Sequence, residues 1–160
     1  LLNDWLKKLS ATDDSKEKRD LLRRIVVVGA YLKRRNNLIL VNEQDGVIKE
    51  EELNLSIQEM IKNLQLAGIH CAGTVEFEID LPTDVAMKLF DFYEYVVENA
   101  FDGLGSLLAR FFYRDNSFYA CIDAVCSLDL TKLQNEQIFV SVSDKNCYTL
   151  SLKIEGGDGR

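Results

Sequence analysis

Residues 93–103, which read YEYVVENAFDG, belong to the most strongly patterned segment of the sequence. A helix has about 100° per residue, and on that wheel a segment extended back to residue 83 places its apolar side chains on one continuous half. The opposite half is acidic, with Asp91, Glu94, Glu98 and Asp102. Asn99 falls on the border between the two. The sequence therefore predicts an amphipathic helix over 83–102, with Asn99 at the edge of its packed face.

The segments on both sides of this helix have the pattern of β-strands. Residues 71–80, CAGTVEFEID, alternate in polarity, with Val75, Phe77 and Ile79 on one side and acids on the other. That period of two predicts a half-buried strand. Residues 106–155 contain two segments that we interpret as hairpins, turning at Asp115-Asn116 and at residues 144–146.

The first 45 residues predict a helical hairpin, with a polar turn at residues 11–15. The long second helix repeats apolar residues at helical spacing, namely Leu21, Ile25, Val28, Leu32 and Ile39. A single hairpin does not bury its own apolar stripe, so we expect dimerisation through it.

The predicted domains are a dimerisation or linker-like hairpin at 1–45, an α/β domain at 46–156 and a frayed tail at 157–160. Within the α/β domain, residues 50–68 predict a further helix that ends near Gly68. The predicted fold is an α+β two-layer sandwich, a mostly antiparallel sheet with helices on one face, preceded by the hairpin.

Composition excludes several classes of function. The net charge of -7 argues against nucleic acid or an anionic membrane as a partner. No apolar run approaches the roughly 20 residues of a membrane span, so we expect no membrane contact by this fragment. The four cysteines lack the CxxC spacing of zinc sites, and there is one histidine, His70. This pattern favours free thiols in a reducing cytoplasm.

The chain begins at Leu1 without Met, and we interpret it as excised from a longer protein whose membrane anchoring stays open.

The motif VVENA at residues 96–100 resembles the N-box of bacterial two-component sensor histidine kinases. The order of elements along the whole chain resembles the dimerisation helices and Bergerat-type ATPase domain of that family. By this resemblance Asn99 is the ligand of a magnesium ion that bridges the phosphates of ATP, a role that suits a hard amide oxygen. Glu98 matches the acid that polarises water or completes the metal shell. The best match for the family's D-x-G-x-G motif is IDAVCSL, residues 122–128, in which Asp123 would bind adenine.

The remaining motifs depart from the family pattern. Asp102 and Gly103 stand where the family has Lys followed by His or Tyr, and the anion would repel triphosphate. Val125 and Ser127 replace the two glycines that follow the adenine-binding Asp. No glycine lies between Ser127 and Glu155, so a glycine-rich ATP lid is replaced by a short segment at 127–137. The first helix carries no acceptor histidine.

These observations predict a degenerate kinase core. It would be a cytoplasmic fragment of a sensor histidine kinase, a pseudokinase that signals by homodimerisation and conformational coupling to a response regulator. Residual binding of ATP and Mg stays compatible with Asn99, Glu98 and Asp123, whereas protein-histidine phosphorylation would be impaired and no catalytic residue is assigned. The alternative is a non-enzymatic α/β interaction module unrelated to kinases, in which the acids of helix 83–102 form a solvated face or dock a basic partner.

Overall fold

The chain begins with the predicted pair of helices. We analysed a computed structural model that describes residues 2–42 and 46–156. Helix α1 spans Leu2–Ala11 and α2 spans Ser15–Asn42. The carboxylate of Asp14 caps α2, since its Oδ1 accepts the backbone N–H of Lys16 at 2.7 Å. Residues 43–45 and the predicted tail at 157–160 lie outside the described residues.

The α/β unit that follows has two longer helices and seven strands. The helices are α3 (Glu50–Leu66) and α4 (Thr83–Ala100). The strands are β1 (Val47–Ile48), β2 (His70–Glu76), β3 (Leu81–Pro82), β4 (Leu104–Arg114), β5 (Ser117–Cys126), β6 (Ile138–Asp144) and β7 (Cys147–Glu155). Short 3-10 turns occupy Phe101–Gly103 and Thr131–Leu133.

Five strands form the main sheet in the order β2-β4-β5-β7-β6. Strands β2 and β4 are parallel, and the three other pairs are antiparallel. Strands β1 and β3 form a separate two-stranded ladder. The predicted fold, a mostly antiparallel sheet with helices on one face behind a helical hairpin, is confirmed.

The predicted hairpin turns are also present. Asp115 and Asn116 have φ of 49° and 57°, and Asn146 has φ of 64°. Tight turns between antiparallel strands require positive φ at these positions, and Asn and Asp tolerate positive φ better than most residues. The turn chemistry therefore fixes the register of β4 against β5 and of β6 against β7.

Helices α3 and α4 supply the core with the apolar faces that their patterns predict. Each of the five predicted α3 positions is at most 4% exposed, namely Leu53, Ile57, Met60, Ile61 and Leu64. Gly68, just after α3, has φ of +87°, a conformation that favours glycine. On α4 the largest buried side chain, Tyr93, is fully buried beside Phe111 of β4.

The strand predicted over 71–80 is shorter than its polarity pattern. It ends at Glu76, and Ile79 is 40% exposed. The reason is local, because Glu78 has φ of 57° and its N–H donates to the Glu50 carboxylate at 2.9 Å. A side chain of α3 thus turns the chain out of the sheet before the alternation ends.

The apolar stripe predicted for α2 is also displaced. Leu32 is 42% exposed, whereas Val27 and Leu38 are each 4% exposed. Val27, Tyr31, Arg34 and Leu38 form the stripe that faces α3 and α4. The hairpin is therefore covered in part by its own chain, through a face that includes an arginine and a tyrosine, which a search for apolar periodicity passes over.

Candidate functional site

Asn99 lies on α4 near its C-terminal end and is half-buried. Its Nδ2 donates to the backbone oxygen of Tyr95 at 2.8 Å. Among the described residues its Oδ1, the atom that a magnesium ion would use, accepts no hydrogen bond. The geometry is that of a polar residue bonded back onto its own helix.

Glu98 points away from Asn99, toward the hairpin. Together with Trp5 and Val28 it lines a cavity of about 10 Å³ between the hairpin and α4. Consecutive helical residues diverge by about 100°. Glu98 and Asn99 therefore face different neighbours and do not converge on one ligand position.

Asp123 lies on the face of the sheet opposite to α4. Its neighbours along β5, Ile122 and Ala124, are 0% and 4% exposed because they face the helices. The Asp123 carboxylate accepts hydrogen bonds from Arg110 at 2.7 Å and from the Thr149 hydroxyl at 2.6 Å. The structure thus does not bring Asp123 together with Asn99 or Glu98.

The β5 residue that does lie beside the end of α4 is Cys126. It is 0% exposed, and its thiol donates to the backbone oxygen of Ala100 at 3.6 Å. Cys126 was not among the predicted site residues. The alternation of apolar residues along β5, at Phe118, Ala120 and Ile122, continues to residue 126 and could have placed Cys126 on the side of the sheet that faces the helices. At the helix-facing position nearest to Asn99, the chain therefore has a thiol in place of a carboxylate.

The segment that would correspond to an ATP lid is folded down onto the α/β unit. The backbone N–H of Ser127 donates to the Gly103 oxygen at 2.9 Å. Leu130 and Leu133 are 0% and 3% exposed. Hydrogen bonds from Thr131 lower the pKa of Asp129 and fix the turn between the two leucines. This segment is packed as part of the core.

Gly103 is needed for that close packing. A Cβ at this position would lie 2.6 Å from Ser127 Oγ and 2.9 Å from the backbone nitrogen of Leu128. Glycine thus stands here because the segment after β5 approaches the end of α4 too closely for any side chain.

The acidic stripe of α4 is paired with α2. Asp91 accepts hydrogen bonds from the Tyr31 hydroxyl at 2.7 Å and from Arg35 Nε at 2.8 Å. Asp102 forms an ion pair with Arg24. The chain's own hairpin therefore supplies basic groups to these two acids, although the Asp102 side chain is still 63% exposed. The interpretation of the stripe as a solvated face or as a dock for a basic partner stays a prediction.

Glu94 lies between those two ion pairs and lines the same small cavity as Glu98. Burial, together with the carboxylates of Glu98 and Asp91, raises its pKa to about 7. It accepts no hydrogen bond from the described residues. Glu94 is therefore an acid held against the hairpin without a partner of opposite charge.

A groove of about 380 Å³ runs between α4 and strands β6 and β7. Phe92 and Leu152 line its apolar part, and Lys88, Tyr95 and Lys153 supply polar groups. None of the three predicted site residues lines it. Among the described residues, no three His, Cys, Asp or Glu side chains are grouped closely enough to hold a metal ion.

Solved structures share this architecture. A bacterial phosphotransferase matches with a TM-score of 0.52 and 12% identity, over 94% of this chain and 85% of that chain. At 12% identity this likeness shows a shared fold alone.

The histidine kinase AdeS of Acinetobacter baumannii is also similar to this chain. It matches with a TM-score of 0.49 and 10% identity, over 98% of this chain and 94% of that chain. No family model and no curated protein matches the sequence. Activity therefore has to be argued from the residues. Within the described residues, no helix is long and apolar enough to cross a bilayer.

Proposed function

We propose that the chain is the cytoplasmic core of a two-component sensor histidine kinase whose ATP site is degenerate. It would signal by homodimerisation and by coupling the hairpin to the α/β unit, with a response regulator as its downstream partner. The observation that carries the proposal is the burial of Leu130 and Leu133 in the segment after β5. Leucines packed into the core replace the mobile, glycine-rich loop that would cradle phosphates.

The arrangement of polar groups supports the same conclusion. The Asp123 carboxylate is bound by Arg110 and Thr149 on the far face of the sheet. Asp102 is bound by Arg24. Neither acid is placed to act with Asn99, so residual nucleotide binding would depend on Asn99 alone.

The test is a titration with Mg²⁺ and a non-hydrolysable ATP analogue, followed by thermal shift and calorimetry. A ligand at a hundredfold excess over its Kd stabilises the native state by about 2.7 kcal/mol. We expect no shift at millimolar analogue, and the same result for Asn99→Ala. A thermal shift in the wild type that disappears in Asn99→Ala would show a competent nucleotide site and overturn the proposal that the ATP site is degenerate.

Dimerisation is supported by apolar side chains that the hairpin leaves uncovered. Leu22 and Val26, one turn apart on α2, are 48% and 50% exposed, and Leu6 on α1 is 43% exposed. We expect light scattering to give a dimer that Val26→Glu converts to a monomer. The control is Leu55→Glu, at a 67% exposed position of α3, which should stay dimeric. A wild-type monomer at high micromolar concentration would exclude this part of the proposal.

A further inference from the structure

Two arginine ion pairs connect α2 with the α/β unit, one at Asp91 on α4 and one at Asp102 in the 3-10 turn that follows α4. At one end, the guanidinium of Arg24 lies 5.8 Å from the Trp5 ring centroid and 5.4 Å from that of Phe101, and it pairs with Asp102. Further along α2, Arg35 binds both oxygens of Asp91, at 2.8 and 3.1 Å. Each pair joins the hairpin to the α/β unit, and because solvent reaches both pairs, each contributes modestly to that contact.

Between these pairs the contact is unfavourable for a charged group. Glu94 faces Val27 and Val28 of α2 across the small cavity. The charged and titratable groups around it are Arg24, Tyr31 and Arg35 of α2 and Asp91 and Glu98 of α4, while α1 contributes Trp5. Arg24, which lines the same cavity, is engaged by Asp102, and Arg35 is engaged by Asp91. Among the described residues, neither arginine forms an ion pair with Glu94.

We infer that the contact between α2 and α4 is a proton-controlled joint, closed when Glu94 is protonated and weakened when Glu94 is ionised. The ion pairs at either end keep the helices in register, and the charge at the centre decides how firmly they dock. An open joint would uncover the acidic stripe of α4 and release α2 from α4. The joint would work in this way whether or not the chain binds nucleotide.

The direction of the effect follows from linkage. The pKa of Glu94 is about 7 with the hairpin docked, against an ordinary value of 4.5. The docked state therefore binds the proton more tightly, so docking is strongest below pH 4.5, weakens as the pH rises from 4.5 to 7, and changes little above that. Glu94 is only half-buried, and solvent screening reduces the effect. We expect the docking equilibrium constant to fall by up to about tenfold, equivalent to about one pKa unit.

Trp5 reports on this joint because it is the chain's single tryptophan and lines the same cavity as Glu94. We would measure acrylamide quenching of its fluorescence at pH 5 and pH 7.5. Quenching should be greater at pH 7.5 in the wild type and equal at the two pH values in Glu94→Gln. In Asp102→Asn, which loses one ion pair but keeps Arg24 beside Trp5, the joint should be more open and the pH dependence larger.

A control at the chain's one histidine is His70→Gln, which should behave as the wild type. Quenching that is independent of pH in both the wild type and Asp102→Asn would overturn the inference. So would a pH dependence that persists in Glu94→Gln or disappears in His70→Gln, because the controlling proton would then lie on another group. These outcomes are separate from the nucleotide titration, since none of the variants changes Asn99.

Discussion

The side-chain amide of Asn99 donates a 2.8 Å hydrogen bond to the backbone oxygen of Tyr95, one turn earlier in α4. The donor end of this side chain at the edge of a packed helix is thereby bonded without a ligand. The position suits an N-box asparagine, but its surroundings do not complete the site. Asp123 faces the far side of the sheet, and Cys126 occupies the nearest helix-facing position of β5.

Replacing Asn99 should have little effect on folding. Alanine removes the bond to the Tyr95 oxygen, which is still bonded within the helix, and alanine has the higher helix propensity. We expect the free energy of unfolding of Asn99→Ala to change by less than about 0.5 kcal/mol in urea titrations. A loss of more than 2 kcal/mol would assign Asn99 a structural role that its contacts do not show.

Gly103→Ala should be destabilising. The new Cβ would lie 2.6 Å from Ser127 Oγ and 2.9 Å from the Leu128 backbone nitrogen, so the segment after β5 would have to move. Overpacking of this kind costs about 1–3 kcal/mol in the free energy of unfolding.

The matched control is Gly29→Ala in the middle of α2, where nothing lies within 4 Å of the added Cβ. Because glycine is unfavourable in a helix interior, that variant should gain about 0.5–1 kcal/mol. Equal stability of the two variants in chemical denaturation would show that the contact at Gly103 is loose.

Leu130→Ala tests whether the segment after β5 is part of the core. Leu130 is 0% exposed, and removing a buried leucine costs about 2–5 kcal/mol. Leu66→Ala, at a position that is 74% exposed, should be nearly neutral. A cost below 1 kcal/mol for Leu130→Ala would mean that the segment is mobile like a lid, and it would remove the main support for a degenerate site.

Much of the fold could be predicted from the sequence because its helices and hairpins follow local rules. The five apolar positions of α3 are buried as predicted, and the turns at Asp115-Asn116 and Asn146 have the expected positive φ. The stripe predicted for α2 was correct at Leu21, which is 9% exposed, and wrong at Leu32, which is 42% exposed. The packed face of this helix also includes Tyr31 and Arg34. Tertiary ion pairs and hydrogen bonds determine that face, and hydrophobic periodicity does not report them.

The candidate site was less predictable than the fold. Asp123 was identified as the best match to the D-x-G-x-G motif, but a motif match does not decide which face of a sheet a residue occupies. Strand parity does, since Ile122 and Ala124 are apolar and Asp123 lies between them. The burial of Leu130 and Leu133 depends on contacts with residues distant in sequence. The sequence therefore showed that the segment corresponding to an ATP lid has no glycine, but it did not show that this segment packs into the core.

The ion pair between Arg35 and Asp91 should stabilise the protein modestly. The side chains are 35% and 40% exposed, so solvent screens the pair. A double-mutant cycle of Arg35→Met and Asp91→Asn should give a coupling energy of about 0.5–1 kcal/mol. The control cycle is Arg114 with Asp115, whose side chains are 76% and 81% exposed, and there we expect no measurable coupling. Equal coupling in both cycles would contradict a specific role for Arg35 at the joint.

Glu94→Gln should change how stability depends on pH. The pKa of Glu94 is raised from 4.5 to about 7 in the folded protein, so its protonated form contributes stability that is present below pH 4.5 and is lost by about pH 7. Glutamine has the same shape and stays neutral, so Glu94→Gln should be more stable than the wild type at pH 8 and similar to it at pH 4.5. Urea unfolding at both values measures the difference, which solvent screening limits to about 1 kcal/mol. Glu51→Gln, at an exposed position of α3, should match the wild type at pH 8. A Glu94→Gln variant less stable than the wild type at pH 8 would show that the hairpin stabilises the Glu94 carboxylate, although burial and two neighbouring acids disfavour its ionised form.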